Sequence, residues 1–218
     1  AALGLKNCLC IAGDHQKFSA AGKLKGHPGA KNVYDVDTTQ LVGIMKKMRD
    51  ESLQEGGDKI DVPPKFFICA SWTPMGDPMD FRPYNRKKKV DAGADFIQTQ
   101  CIYNIEKFER WMEGVRERGL HEQVFILAGV TPLKSAGMAR YMKTKVPGMD
   151  VPDEVVKRMA GTPKDKQAEE GITICVETIQ RLKEVTGVAG FHIMAIEWEE
   201  KVPGIVERAG LYPRPALN

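Results

Sequence analysis

The sequence predicts an α/β protein organised on a parallel β-sheet. Three observations lead there. Short apolar runs recur along the chain, and nearly every one is followed by a stretch with helical periodicity. The runs are apolar throughout rather than alternating, which suits strands covered on both faces. Each run also finishes on polar residues. In parallel α/β folds the carboxyl ends of the strands share one face of the molecule, and pockets are built there.

The first run spans residues 7–12 (NCLCIA) and ends in Gly13, Asp14 and His15. A Gly-rich loop leads to a helix over 38–52, with Leu41, Ile44, Met45 and Met48 on one face and Asp37 or Thr38 as its cap. Pro63 and Pro64 introduce the second strand, 66–72 (FFICASW), which closes on Ser71, Trp72 and Thr73. A short helix over 84–92 and an Ala-Gly-Ala connection precede the third strand, 96–100 (FIQTQ). The helix over 105–118 carries Phe108, Trp111, Met112 and Val115 at helical spacing and stops at Gly119. The fourth strand, 124–130, ends in Thr131 and Pro132, and a helix over 136–145 follows it. Residues 148–166 read as a polar insertion holding a short helix over 152–159. A helix over 166–185 buries Ile172, Cys175, Val176, Ile179 and Leu182. The fifth strand, 191–196 (FHIMAI), ends in Glu197 and Trp198, and a helix over 203–209 completes the pattern.

Five such units fit an open doubly wound sheet or part of a (β/α)8 barrel. No G-x-G-x-x-G follows any strand, which weakens the dinucleotide-binding form of the first. A full barrel takes about 250 residues, so a barrel here lacks about three amino-terminal βα units or receives them from another chain.

With 32 Lys and Arg against 29 Asp and Glu, charge is nearly balanced, which argues against bulk nucleic-acid binding. No apolar run is long enough to cross a membrane, and no signal peptide is evident. The five cysteines form an odd set, mostly inside apolar runs, as reduced cytoplasmic thiols do. Cys8 and Cys10 share a strand face; packing is the plainer reading and a metal pair the other. The chain reads as one domain over residues 1–218.

Several polar residues are candidates for chemistry. Asp14 follows a glycine that permits close backbone approach, and its carboxylate suits the N–H groups of a heterocycle or the cap of a turn. Gln98 and Gln100 lie two apart, so strand periodicity puts them on one face, either lining a pocket or bonding to neighbouring backbone. Lys87, Lys88 and Lys89 suit phosphate as charge-assisted donors, or simply form a solvated helix face. His15 has no nucleophile placed near it in the sequence, and His192 reads as a core histidine.

Seven segments, in order along nearly the whole chain, resemble the methylenetetrahydrofolate reductase family. They are LCIAGDH (9–15), AKNVYDVDTTQL (30–41), KKKVDAGADFIQTQCIYN (87–104), ILAGVTPLKS (126–135), VPGMDVP (146–152), GFHIMAI (190–196) and AGLYPRP (209–215). The resemblance implies a (β/α)8 barrel with about the first three βα units missing from this chain. It implies a flavin, FAD with FMN as the alternative, whose reduced form delivers hydride to 5,10-methylenetetrahydrofolate and gives 5-methyltetrahydrofolate. By the match, Asp14 looks like the aspartate near both flavin and pterin, and Gln100 like the glutamine that contacts folate and nicotinamide. Lys89, Lys88 and Asn85 match flavin phosphate and ribose anchors, Gly13 and Asp35 further flavin contacts, and Thr73 a flavin-facing position. Met142 falls near an aromatic that stacks on substrate, with Tyr141 beside it.

There are departures as well. The family's E-x-x-P-P motif is not in this sequence, Trp198 stands at a folate-contacting arginine, and Asp77 at a flavin-contacting histidine. The expected electron source is NAD(P)H or an electron-transfer partner subunit, in an oligomer or complex. The alternative reading is a non-catalytic, reductase-like subunit with an assembly role.

Overall fold

The computed structural model describes residues 1–12, 33–76 and 87–214. Five parallel strands form one sheet: β1 (Asn7–Cys10), β2 (Phe67–Trp72), β3 (Phe96–Cys101), β4 (Phe125–Val130) and β5 (Val188–Ile193). Their spatial order is their order in the chain, β1-β2-β3-β4-β5. A doubly wound sheet reverses direction at a switch point and carries helices on both faces. Among the described strands there is no switch point: every crossover steps the same way, as along the arc of a barrel.

The helices are α1 (Thr38–Asp50), α2 (Ile105–Glu117), α3 (Ala136–Lys145), α4 (Asp153–Gly161), α5 (Gln167–Lys183) and α6 (Val202–Arg208), with a further helical segment at 87–91. Asp37 caps α1, accepting the Gln40 N–H at 2.8 Å while the Gln40 side chain accepts the Asp37 N–H, so the cap lies one residue before Thr38. Asn104 caps α2 and Ser135 caps α3, each side-chain oxygen accepting one N–H, from Lys107 and Met138, without the reciprocal bond. On one face of the sheet, Ile68, Ala70, Trp72, Ile97, Ile126, Ala128 and Val130 pack against Val42 of α1, Phe108, Trp111 and Val115 of α2, and Ile179 and Leu182 of α5. Burying each large side chain of that set stabilises the fold by roughly 1.5–3 kcal/mol. A second cluster at the carboxyl end joins Cys101, Tyr103, Leu133, Ala139, Met142, Met159 and Ile174.

At the amino end, Asp95 ties three elements together. One carboxylate oxygen accepts from Arg49 Nη1 of α1 and from the Ile68 N–H of β2, both at 2.6 Å, just where β3 begins.

The face of the sheet away from this core changes character along the strands. Its amino-end row, Leu9, Cys69, Phe96 and Phe125 in register, is apolar; Phe67 stacks on Phe96 at 5.1 Å and meets Phe125 at 6.3 Å. Phe125 is 59% exposed and Leu9 46%. The next row, Ser71, Gln98, Leu127 and Gly190, is mixed, and beyond it Gly129 pairs with His192. Polarity therefore rises toward the carboxyl ends.

The fifth strand departs from the sequence reading. Its ladder is Val188–Ile193, not 191–196, although Met194 still donates one bond to the Val130 carbonyl. Gly187, at φ +98°, turns the chain into the sheet three residues early, and a register shift at Ile126/Leu127 takes up the difference. The apolar MAI triplet then leaves the sheet instead of ending it.

Candidate active site at the carboxyl ends of the strands

β3 does not run straight into the carboxyl face. Gln98 pairs with Leu127 and Cys101 with Gly129, so β3 carries one extra residue there. Thr99 closes the gap. Its hydroxyl accepts the Gly129 N–H at 2.8 Å and donates to the Gln100 carbonyl at 2.9 Å, which satisfies a buried polar group on both sides. Because of this bulge, simple alternation no longer relates Gln98 to Gln100. Gln100 is half-buried, and its Oε1 accepts the Cys101 N–H at 3.2 Å. The backbone-bonding reading holds for the amide oxygen; the –NH2 makes no hydrogen bond among the described residues. Beside it, Cys101 Sγ and Thr131 Oγ1 are 2.7 Å apart, and Tyr103 donates its hydroxyl to the Thr131 carbonyl at 3.2 Å.

The lysine run divides. Lys87 pairs with Asp91 on the helix surface at 2.5 Å and Lys88 is exposed, which is the solvated-face reading. Lys89 turns inward and donates to the Ser71 carbonyl at 2.7 Å, which fixes its ammonium at the carboxyl end of β2. Thr73, half-buried just beyond, lies against Gly148; a Cβ there would stand 2.5 Å from Thr73 Cγ2, and φ of +76° also favours glycine. That loop is held by Asp150, which accepts from Asn104 Nδ2 at 3.3 Å and pairs with Lys107 at 3.1 Å. The 146–152 segment is therefore a strap from α3 to the ends of β2 and β3.

The other expected site residues are scattered. Asp35 is exposed two residues before the α1 cap. Met142 is 6% exposed inside the second core cluster, whereas Tyr141 beside it is 49% exposed. Gly13, Asp14, His15, Asp77 and Asn85 lie outside the described residues. His192 is half-buried on the core-free face rather than in the core, and burial holds its imidazole below the ordinary value, so it is neutral at pH 7.

The thiols are packing groups. Cys10 donates to Met45 Sδ at 3.3 Å, and burial pushes Cys69 up to about 12 and Cys101 up to about 11, far from thiolate chemistry at neutral pH. Among the described residues no group of three or more His, Cys, Asp or Glu is placed to hold a metal ion, and no helix is long and apolar enough to cross a membrane.

Sequence reasoning took Thr99 only as one of the polar strand ends and passed over Gly129. A lone glycine inside a buried strand is itself the signal of a bulge or a close backbone approach.

The family model for methylenetetrahydrofolate reductase matches residues 1–210. The chain belongs to that family. The family's methylenetetrahydrofolate reductase 1 of Schizosaccharomyces pombe is 30% identical over 153 residues, 67% of this chain and 25% of that protein. The probable methylenetetrahydrofolate reductase (NADPH) of Caenorhabditis elegans is 25% identical over 219 residues, 97% of this chain and 29% of its own length. The chain thus spans between a quarter and a third of these curated relatives. Among solved structures, an uncharacterized protein from Clostridium thermocellum that binds two copies of 5-methyl-5,6,7,8-tetrahydrofolic acid superposes with a TM-score of 0.57 at 13% identity. The likeness covers 92% of this chain and 70% of that one, and it speaks for the fold.

Proposed function

We propose that this chain carries the ligand-binding face of a flavin-dependent reductase that converts 5,10-methylenetetrahydrofolate to 5-methyltetrahydrofolate. The observation that carries the reading is the family match over residues 1–210. The sequential parallel arc supports a (β/α)8 barrel in which β1–β5 are five of eight strands and three further βα units complete the wall. The carboxyl face of such a barrel is where ligands bind, and the most polar side chains here collect at that end.

A bound flavin, FAD or FMN, would supply the hydride for the one-carbon unit. The residues fit such a group. Lys89 is a cation fixed by the Ser71 carbonyl at the end of β2, suited to the flavin phosphate, with Thr73 just beyond that strand; Lys88, Asn85, Asp35 and Gly13 are further flavin contacts on the family resemblance alone. For folate, Gln100 is a one-way reader. With Oε1 engaged by the Cys101 N–H, its –NH2 offers donors to the acceptor atoms of the pterin ring. Asp14 offers the reverse, a carboxylate that accepts from pterin N–H groups and favours positive charge on the ring during hydride transfer. Met142, matched by the resemblance to a substrate-stacking position, is 6% exposed inside the second core cluster, so its part is to pack α3 rather than to touch the ligand. The NADPH-linked name of the Caenorhabditis relative supports a nicotinamide nucleotide as electron source, with a partner subunit as the other route.

The whole protein is expected to purify yellow, and its flavin absorbance to bleach anaerobically with 5-methyltetrahydrofolate. A colourless protein that takes up neither FAD nor FMN would sink the proposal. Gln100→Ala is expected to lower folate turnover by about 30-fold, the loss of one or two charge-free hydrogen bonds, with flavin affinity held within about twofold. Lys89→Ala should reverse that order, losing flavin first. Equal effects of both variants on both measurements would remove these roles.

A further inference from the structure

The connection from β4 to β5 is longer than a parallel crossover needs. α5, 17 residues long, makes the return to β5 by itself. Its first turns already lie at the end of β4, because Gly171 sits directly against the Leu133 carbonyl. Residues 134–166, with α3 and α4, therefore leave the carboxyl end of the sheet and come back to it. Gln167 ties the two feet of this excursion together. Its Oε1 accepts the Ala136 N–H at 2.9 Å, and its Nε2 donates to the Thr162 carbonyl at 3.0 Å. Lys143 of α3 pairs with Asp153 of α4 at 2.7 Å, and Met142, Val151 and Met159 share the second core cluster. The excursion is thus one packed cap, set on the face where the strands end.

The tip of the cap is the 146–152 strap, which reaches away from β4, past β3, to β2. One side chain latches it. Asp150 Oδ2 accepts from Lys107 Nζ at 3.1 Å and from Asn104 Nδ2 at 3.3 Å. Both partners belong to the amino-terminal turn of α2, directly after β3, where the helix dipole also favours a carboxylate. So held, the tip brings Gly148 against Thr73 Cγ2, at a spacing with no room for a Cβ. Ser71, whose carbonyl fixes the Lys89 ammonium, lies two residues back along the same segment.

We propose that Asp150 is a positioning residue for the flavin: it latches the tip of the α3–α4 cap to α2, and the latched tip walls the end of β2 where Lys89 takes the flavin phosphate. The assignment rests on the flavin reading above. Asp150 acts through Gly148 and Thr73. Releasing it frees the tip, while the feet stay tied by Gln167 and the packing of α3 on α4 stays intact. The pose of Gln100 is set within β3 and β4, by the Thr99 bridge and the Cys101 N–H, so pterin recognition does not pass through the latch.

The measurement is the rate at which the whole protein releases FAD or FMN on dilution, read from the fluorescence of the freed flavin. Asp150→Ala removes both bonds and is expected to speed release about tenfold. Asp150→Asn keeps an acceptor for Asn104 and loses the ion pair, so about threefold is expected. Lys107→Met should match Asp150→Asn, and Lys107→Met combined with Asp150→Ala should release no faster than Asp150→Ala alone. Two further readouts separate positioning from mere stability: the melting temperature of the flavin-free protein should stay within about 2 °C, and the Kd for 5-methyltetrahydrofolate within about twofold. If Asp150→Ala fails to fold, Lys107→Met carries the test. Unchanged flavin release, or faster release accompanied by an equal loss of folate affinity or a lower melting temperature, would overturn the assignment while leaving flavin binding in place. An unaltered protein that takes up neither flavin would overturn the flavin reading, and this assignment with it.

Discussion

Gly171→Ala is expected to destabilise the protein by about 3 kcal/mol or more, read as a fall in the urea midpoint with little change in slope. The sign is the informative part. In a helix interior, alanine is favoured over glycine by about 1 kcal/mol, so an α5 that merely covered the sheet would be strengthened. Here a Cβ would overlap the Leu133 carbonyl oxygen, far inside the 3.0 Å that such atoms keep. Backbone meets backbone at this point, and no flexible side chain can move aside. To admit a methyl group, α5 must lift from the β4–α3 loop, and Ile172 and Cys175 lift with it from the core. The same shift would disturb Lys134 and the start of α3. A stable Gly171→Ala protein would mean that this loop is not held by α5 as described.

Gly129→Ala is expected to have its largest effect on ligand binding, with about 2–3 kcal/mol of stability lost as well. A Cβ at this position would run into the Thr99 carbonyl oxygen, and it would stand 3.0 Å from the Gln100 carbonyl carbon and 2.9 Å from Met194 Cε. The bulge in β3 brings those atoms close, and glycine on β4 makes room for it. Relief requires β3 and β4 to part at Thr99, breaking the Thr99 hydroxyl's bond to the Gly129 N–H and turning Gln100. Folate affinity should fall more than tenfold, while flavin affinity, proposed to depend on Lys89 two strands away, falls less. A variant with folate affinity intact would show that the bulge does not set the pose of Gln100.

The sequence showed the strands, the helices and their order because each rests on a local pattern. Phe108, Trp111, Met112 and Val115 sit at the spacing that buries one side of a helix, and all four are buried. What was not legible depended on contacts between distant residues. Periodicity placed Gln98 and Gln100 on one face, but an extra residue in β3, bridged to β4 by Thr99, broke that inference. The run of three lysines looked uniform; only folding beside β2 separated Lys89, bound to the Ser71 carbonyl, from Lys87, paired with Asp91. The boundary of β5 moved because Gly187 and a shift in β4 decide the register, and the apolar FHIMAI string carries no mark of either. Met142 could be aligned with a substrate-side position, but its burial comes from α3 packing on α4 and α5.

The winding of the sheet also bears on how the chain gains its structure. Because each described strand's neighbour in space is its neighbour in sequence, every pairing among these five closes only one crossover. Assembly can then spread outward from the middle, where β2, β3 and β4 share Trp72, Ile97 and Ile126 in one core. In the 218-residue chain taken alone, backbone amides of β3 should be the slowest to exchange with deuterium and those of β1 and β5 the quickest. The order of exchange would thus retrace the arc from its centre to its ends, and the region around Gln100 would be among the last parts of the molecule to open.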